Sequence, residues 1–210
     1  MNSKTIFFLL MLVTTLTSCS NKKQSYWENG MVKSELEYQH DKLNGKAVWF
    51  FDNGNKEQEA NYKNNILEGK MIRWHRNGSL ESKALYHEGL KSGVFVTYDD
   101  NGNKVVEQHY KNDTLNGFSR QWYPNGTLKI EGNYSNGLFE GRWMYYDIGG
   151  NIVGIGNFLK GTGIQRAWWP NGKVKREIQY KNNKKDGTEK WFDETGKLEK
   201  IMHWNRGALE

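Results

Sequence analysis

One cysteine and two prolines are all that 210 residues contain of either type, and each scarcity excludes something. A lone thiol, Cys19, can form no internal disulfide and supply no cysteine-based metal cluster. So few prolines exclude a Pro-rich disordered tract, and 23 glycines argue against a helical bundle. Hydrophobic residues are also sparse, at 36%, yet 14% of the chain is aromatic, with nine Trp, eleven Tyr and nine Phe. Apolar burial must therefore come from rings more than from Leu, Ile and Val. The length and composition fit a turn-rich β protein, either one domain or one repeat array.

Charge points to no particular polymer. The net charge is +6, but bases are interspersed with acids and never run longer than two, so the pattern reads as a solvated surface and no nucleic-acid partner is expected. The apolar run Ile6–Leu16 follows Lys4, and residues 1–18 contain no acid. It is too short to cross a bilayer comfortably and suits the apolar core of a secretion signal. Leu16-Thr17-Ser18-Cys19 comes next. That tetrad resembles the lipobox of bacterial lipoproteins, which implies a cleaved signal peptide over 1–18 and a lipid-modified Cys19 as the new N-terminus. Two or three acyl chains would hold the protein firmly in a membrane. Ser20 stands where inner-membrane retention would place Asp, so the resemblance implies a cell-envelope protein at the outer membrane. Residues 19–25 are polar and read as a tether.

Periodicity dominates the rest, residues 26–210. A turn glycine recurs at Gly30, Gly54, Gly78, Gly102, Gly126, Gly150, Gly172 and Gly196, spaced by 24 except for one step of 22. A second glycine column runs Gly45, Gly69, Gly93, Gly117, Gly141, Gly163 and Gly187. Four residues before each turn glycine lie Tyr26, Phe50, Trp74, Tyr98, Trp122, Tyr146, Trp168 and Phe192. Eight residues after it lie Tyr38, Tyr62, Tyr86, Tyr110, Tyr134, Phe158, Tyr180 and Trp204. The missing pair of residues falls between Phe158 and Gly163.

Asn-Gly between aromatic runs signals a hairpin, usually with a two-residue type I′ turn. Pro124 and Pro170 exclude that turn, because both precede Asn-Gly and a proline ring forbids the positive φ it needs. A three-residue loop, type I with a left-handed glycine, accommodates the sequence. It predicts that Tyr123 opposes Thr127 and Trp122 opposes Leu128. It also predicts that a side chain costs more at Gly126 than at Gly132. Alternation from Leu128 onward predicts one aromatic face, carrying both ring columns, and an opposite charged face with Glu35, Glu59, Lys83, Glu107, Glu131 and Glu177. Segments such as Lys63–Glu68 then connect one hairpin to the next.

Two buried rings contribute roughly 3–6 kcal/mol, far below the ordering entropy of 24 residues at about 1–2 kcal/mol each. The units must stack. The expected fold is all-β: an elongated single-layer antiparallel meander of about eight 24-residue β-hairpin repeats behind a cleaved signal peptide.

Aromatic-x-x-Asn-Gly followed by Tyr and Gly, as in Trp122-Tyr123-Pro124-Asn125-Gly126 with Tyr134 and Gly141, resembles the variant MORN repeat, often labelled a YwqK-type antitoxin repeat. The resemblance covers Tyr26 to Glu210. It implies an elongated sheet whose aromatic groove self-associates, binds a partner or contacts phospholipid, and its label implies a toxin as partner. The sixth unit departs from the pattern, with Gly149-Gly150 at its turn, Gly154 and Gly156 in its strand and the shortened connector Lys160-Gly161-Thr162-Gly163.

Catalytic chemistry is not legible. His40, His75, His87, His109 and His203 fall at unrelated repeat positions without metal spacing. There is no Gly-x-Ser-x-Gly elbow, and no helix follows the glycines of 149–163 to hold a phosphate. No cofactor, no metal and no enzymatic activity are expected. The expected role is protein binding or self-association through an aromatic face of Phe50, Tyr62, Trp74, Tyr86, Tyr98, Tyr110, Trp122, Tyr134, Tyr146 and Trp168. The alternative is a module for glycan, cell wall or phospholipid headgroups, which would need Asp, Asn or Arg beside the rings.

Overall fold

The computed structural model describes residues 21–210; the signal segment and Cys19 lie outside the described residues. All eighteen elements are strands of one sheet. The first units are β1 (Asn21–Tyr26) with β2 (Val32–Gln39), β3 (Lys42–Phe50) with β4 (Lys56–Lys63), and β5 (Ile66–Trp74) with β6 (Leu80–His87). The fourth incoming strand is interrupted at Ser92 into β7 (Leu90–Lys91) and β8 (Gly93–Tyr98), and β9 (Lys104–Lys111) leaves. Then come β10 (Thr114–Trp122) with β11 (Leu128–Ser135), β12 (Leu138–Tyr146) with β13 (Ile152–Leu159), β14 (Thr162–Trp168) with β15 (Val174–Lys181), and β16 (Lys184–Phe192) with β17 (Leu198–Asn205). A stub, β18 (Ala208–Leu209), pairs with β17. Each strand pairs antiparallel with its sequence neighbour, so the chain is the expected meander.

The segment read as a tether differs. Residues 21–25 belong to β1, whose backbone pairs with β2 while its side chains stay exposed. A polar, solvent-facing edge strand carries no apolar alternation, so no sequence pattern marks it.

One edge of the sheet carries the three-residue loops. The Tyr123 amide donates to the Thr127 carbonyl at 2.8 Å, the Gly126 amide donates back to Tyr123 at 2.9 Å, and Gly126 has φ +83°. Trp122 opposes Leu128, as the loop length requires. In five of the loops the asparagine before the turn glycine serves twice. Asn125 Oδ1 accepts from the Thr127 amide, and its Nδ2 donates to the Ile148 carbonyl one unit on. Asn29, Asn53, Asn77 and Asn171 repeat both bonds, which lock adjacent turns together.

The other edge carries tighter turns. Asn64 and Asn65 have φ of 52° and 68°, and Asn112 and Asp113 have 48° and 61°, the two positive values of a type I′ turn. The supposed connectors are therefore hairpin turns in their own right. Asn tolerates the left-handed region better than most residues, which is why Asn, Asp and Gly recur there.

Candidate functional site

Two irregularities per unit decide which side chains share a face. Beside the three-residue loop the register shifts by one: Trp122 faces Leu128, but Gln121 faces Ile130, so Lys129 is a bulge. The bulge reverses the alternation. Trp122 and Leu128 consequently lie on the face of Arg120 and Glu131, and Tyr134 lies on the opposite face with Ile130 and Gly132. The expectation of one aromatic and one charged face is thereby corrected. A single inserted residue, invisible to period-two counting, flips every side chain beyond it.

The ten candidate rings divide accordingly. Phe50, Trp74, Tyr98, Trp122, Tyr146 and Trp168 share what we term the outer face with the glutamate column, and Tyr62, Tyr86, Tyr110 and Tyr134 lie on the inner face. Side-chain contacts agree. Lys56 reaches over the Trp74 ring, 5.4 Å from its centroid, while binding Glu59 at 2.8 Å. Lys104 does the same over Trp122, at 5.0 Å, while binding Glu107 at 2.5 Å. The Tyr146 hydroxyl donates to Glu131 at 2.8 Å. Glu59 is held below the usual carboxylate range by hydrogen bonds from Lys46 and Lys56, against its partial burial. The outer face is thus a ladder of rings, cations and carboxylates.

The inner face is the core. Ala47, Ala60, Ser82, Ala84, Ser119, Trp143, Phe158, Ile178 and Glu189 are buried there, and Val48 is the one buried residue of the outer face among those described. Small residues at mid-strand let longer neighbours lie across them, as Gly132 does for the Trp143 indole. Rings accumulate from the fifth unit to the seventh. Tyr134 and Trp143 meet edge to face at 5.0 Å, Phe139 lies 4.6 Å from Trp143 and 5.2 Å from Phe158, and Tyr180 closes on Phe158 at 5.6 Å. Burial pushes the Tyr145 hydroxyl far above its usual value. The buried Glu189 carboxylate is opposed by desolvation but bonded by Lys185 at 2.7 Å and Arg176 at 2.5 Å, and the cations win, holding it below the usual range.

The second irregularity is a wide bulge near each two-residue turn. Between β2 and β3, Tyr38 faces Leu43 and Leu36 faces Ala47, so Glu37 opposes three residues, and Gly45 takes φ +117°. The turn from the sixth unit to the seventh lacks it. From Leu159 opposite Thr162 to Gly154 opposite Ala167, the β13–β14 ladder runs without a shift, and Gly163 has no positive φ. The missing pair of residues is the bulge.

Three of the five histidines have ordinary partners: His75 Nε2 bonds the Tyr98 carbonyl at 3.0 Å, His87 bonds Glu68 at 3.0 Å, and His109 packs tilted against Phe118 at 4.1 Å. Sequence reasoning missed the ring that follows the first aromatic column. Trp27, Tyr123 and Trp169 each donate to a strand-end carbonyl of the next unit and carry the ammonium of Lys33, Lys129 or Lys175. Their recurrence in alternate company with Asp99, Asp147 and Asp193 hid them from column counting.

No curated protein matches the chain. The profile of the MORN repeat variant matches residues 21–40, 43–64, 67–88, 91–112, 115–136, 162–182 and 185–206, and passes over the sixth unit. With more than half of its residues matched, this chain belongs to the MORN repeat variant family.

Proposed function

We propose that the protein is a non-enzymatic scaffold of the cell envelope, lipid-anchored at Cys19, that binds a protein partner across the outer face. The observation that carries this reading is the unequal use of the two faces. The buried side chains are concentrated on the inner one, while the outer rings at Phe50, Trp74, Tyr98, Trp122, Tyr146 and Trp168, half-exposed like the inner tyrosines, stand beside an ordered column of glutamates and cations. Aromatic anchors rimmed by charge are the usual composition of a protein interface. An antitoxin or immunity role is one form of such binding, with a toxin as partner.

Cross-linking mass spectrometry on intact envelopes tests it. Trp74, Tyr98 and Trp122 changed together to Ser should remove the cross-linked partner, and so should Glu59, Glu107 and Glu131 changed together to Lys, because rings and carboxylates share the face. Retention of the cross-link by both variants, each shown by circular dichroism to keep its β signal, contradicts the proposal. For the anchor, Cys19→Ser should release the protein from membranes. An unmodified Cys19 in the wild-type protein contradicts that part.

A further inference from the structure

The glutamate column of the outer face is reversed once. Five residues after the turn glycine stand Glu35, Glu59, Glu107, Glu131 and Glu177 in five units, Ile155 and Ile201 in two, and Lys83 in the third. Two residues further on, on the same face, stand Glu37, Asn61, His109, Asn133, Asn157, Gln179 and His203, all polar, but Leu85 in the third unit. Strand β6 thus carries the only cation of one column and the only aliphatic residue of the next. Both side chains are exposed, Leu85 to 42%. An exposed leucine buries little, so neither departure serves the sheet itself.

The electrostatic consequence can be read from the preceding units. Lys22 binds Glu35 and Lys46 binds Glu59, each at 2.8 Å, across the first and second hairpins. In the third hairpin the same two positions hold Lys70 and Lys83, two like charges. The neighbouring carboxylates are already engaged. Glu59 also binds Lys56 at 2.8 Å, Glu68 accepts from His87 at 3.0 Å and from the Glu88 amide at 2.7 Å, Glu81 meets Arg73 at 3.6 Å, and Glu107 binds Lys104 at 2.5 Å. Among the described residues, neither Lys70 nor Lys83 has an ion-pair or hydrogen-bond partner.

The register brings these groups together. Lys70 lies directly opposite Leu85, and Lys83 opposite Ile72. With Val94, which is 38% exposed, these four side chains border a hollow of about 220 Å³ on the outer face. Met71 and Ala84 alternate to the inner face, so only their backbone reaches it. Aliphatic walls between two ammoniums that lack a counter-charge are complementary to an aliphatic side chain next to a carboxylate. A broad anionic surface such as a bilayer would also meet the five glutamates of the column and be repelled by them, whereas a narrow segment meets the third unit alone.

We propose that this patch of the third unit docks an acidic segment of the protein partner, an aliphatic side chain seated among Ile72, Leu85 and Val94 and a neighbouring Asp or Glu carboxylate held by Lys70 and Lys83. The inference rests on the reading that the outer face meets a protein, and adds where contact is made and what chemistry the partner supplies.

The test places a diazirine photo-cross-linker at Val94 and, separately, at Trp122 of the full chain in intact envelopes, and sequences the adducts by mass spectrometry. Position 94 should capture a protein segment in which Asp or Glu neighbours Leu, Ile or Val. Two variants restore the repeat pattern and so should fold. Lys83→Glu gives Lys70 the partner that Lys46 has in Glu59, and Leu85→Asn introduces the residue found at Asn61, Asn133 and Asn157. Each should reduce the position-94 adduct about tenfold or more. The proposal is overturned, with the outer-face reading left standing, if position 122 captures a protein while position 94 captures none, captures phospholipid or captures a segment without acid. It is equally overturned if either variant keeps the position-94 adduct at the wild-type level. Adducts from neither position overturn both readings.

Discussion

The first five units and the sixth are built from the same sheet, yet they solve the tight-turn edge differently. Where the first unit passes to the second, a glycine with positive φ and a wide bulge let the strand bend just after the turn, and the next turn reaches back: the Leu43 amide donates to Asn65 Oδ1 at 2.7 Å, 22 residues away. Where the sixth unit passes to the seventh, the bulge is gone and the ladder runs without a shift. The neighbouring tip then reaches twice as far. Asn183 Oδ1 accepts from the Phe139 amide at 2.8 Å and its Nδ2 donates to the Gly137 carbonyl at 2.7 Å, across Gly161. A methyl at Gly161 would strike Asn183, so the glycine is what lets the clasp pass over. Deleting two residues thus exchanges a bulge for a clasp spanning three tips, and a cluster of core rings sits beneath it. The difference teaches that repeat proteins can localise rigidity by omission.

That comparison can be broken most severely at Trp143, which is 4% exposed and lies between the fifth and sixth units. Trp143→Ala should cost about 3–5 kcal/mol, against about 1–2 kcal/mol for Trp74→Ala in a regular unit, where the ring is half-exposed. Urea midpoints of the two variants would decide it, and equal losses would mean that the sixth unit holds no special core.

Next in size is Gly132→Val. A side chain there would occupy the Trp143 indole, whereas Gly126 needs only its positive φ and has nothing within 4 Å. The structure therefore reverses the order read from the turn chemistry alone. Overpacking at Gly132 should cost about 3 kcal/mol, and Gly126→Val about 1–2 kcal/mol. Thermal unfolding in which the Gly126 variant melts lower would restore the original order.

The clasp itself is worth less. Asn183→Ala removes both long-range bonds and should cost about 1–2 kcal/mol, and Asn65→Ala, which loses one side-chain bond, about 0.5–1 kcal/mol. Amide exchange offers a sharper readout: the Phe139 amide should lose protection in the Asn183 variant, and unchanged protection would dissolve the clasp.

Smallest is an effect of acid. Glu189 is held below its ordinary value near 4.5, so its contribution is complete above that pH and is lost as pH falls through the lowered folded value. Glu189→Gln should flatten the loss of stability below about pH 4.5, which is checked by unfolding midpoints at successive pH values.

Much of this was legible in the chain. The glycine columns gave the unit, and the two prolines before Asn-Gly gave the loop length, confirmed by Trp122 opposite Leu128. The faces were not legible, because Lys129 looks like any other strand residue and only the pairing reveals it as a bulge. The tight turns at Asn64-Asn65 and Asn112-Asp113 were readable in principle, since both pairs favour the left-handed region, but attention to Asn-Gly concealed them.

The account rests most on the two faces having different tasks, the inner one folding and the outer one binding. A photo-cross-linking amino acid placed at Trp122 and, separately, at Tyr134 tests this in intact envelopes, because the two positions lie on adjacent strands and opposite faces. The account predicts a protein adduct from position 122 and none from position 134. An adduct from 134 alone, or from neither position, would contradict it.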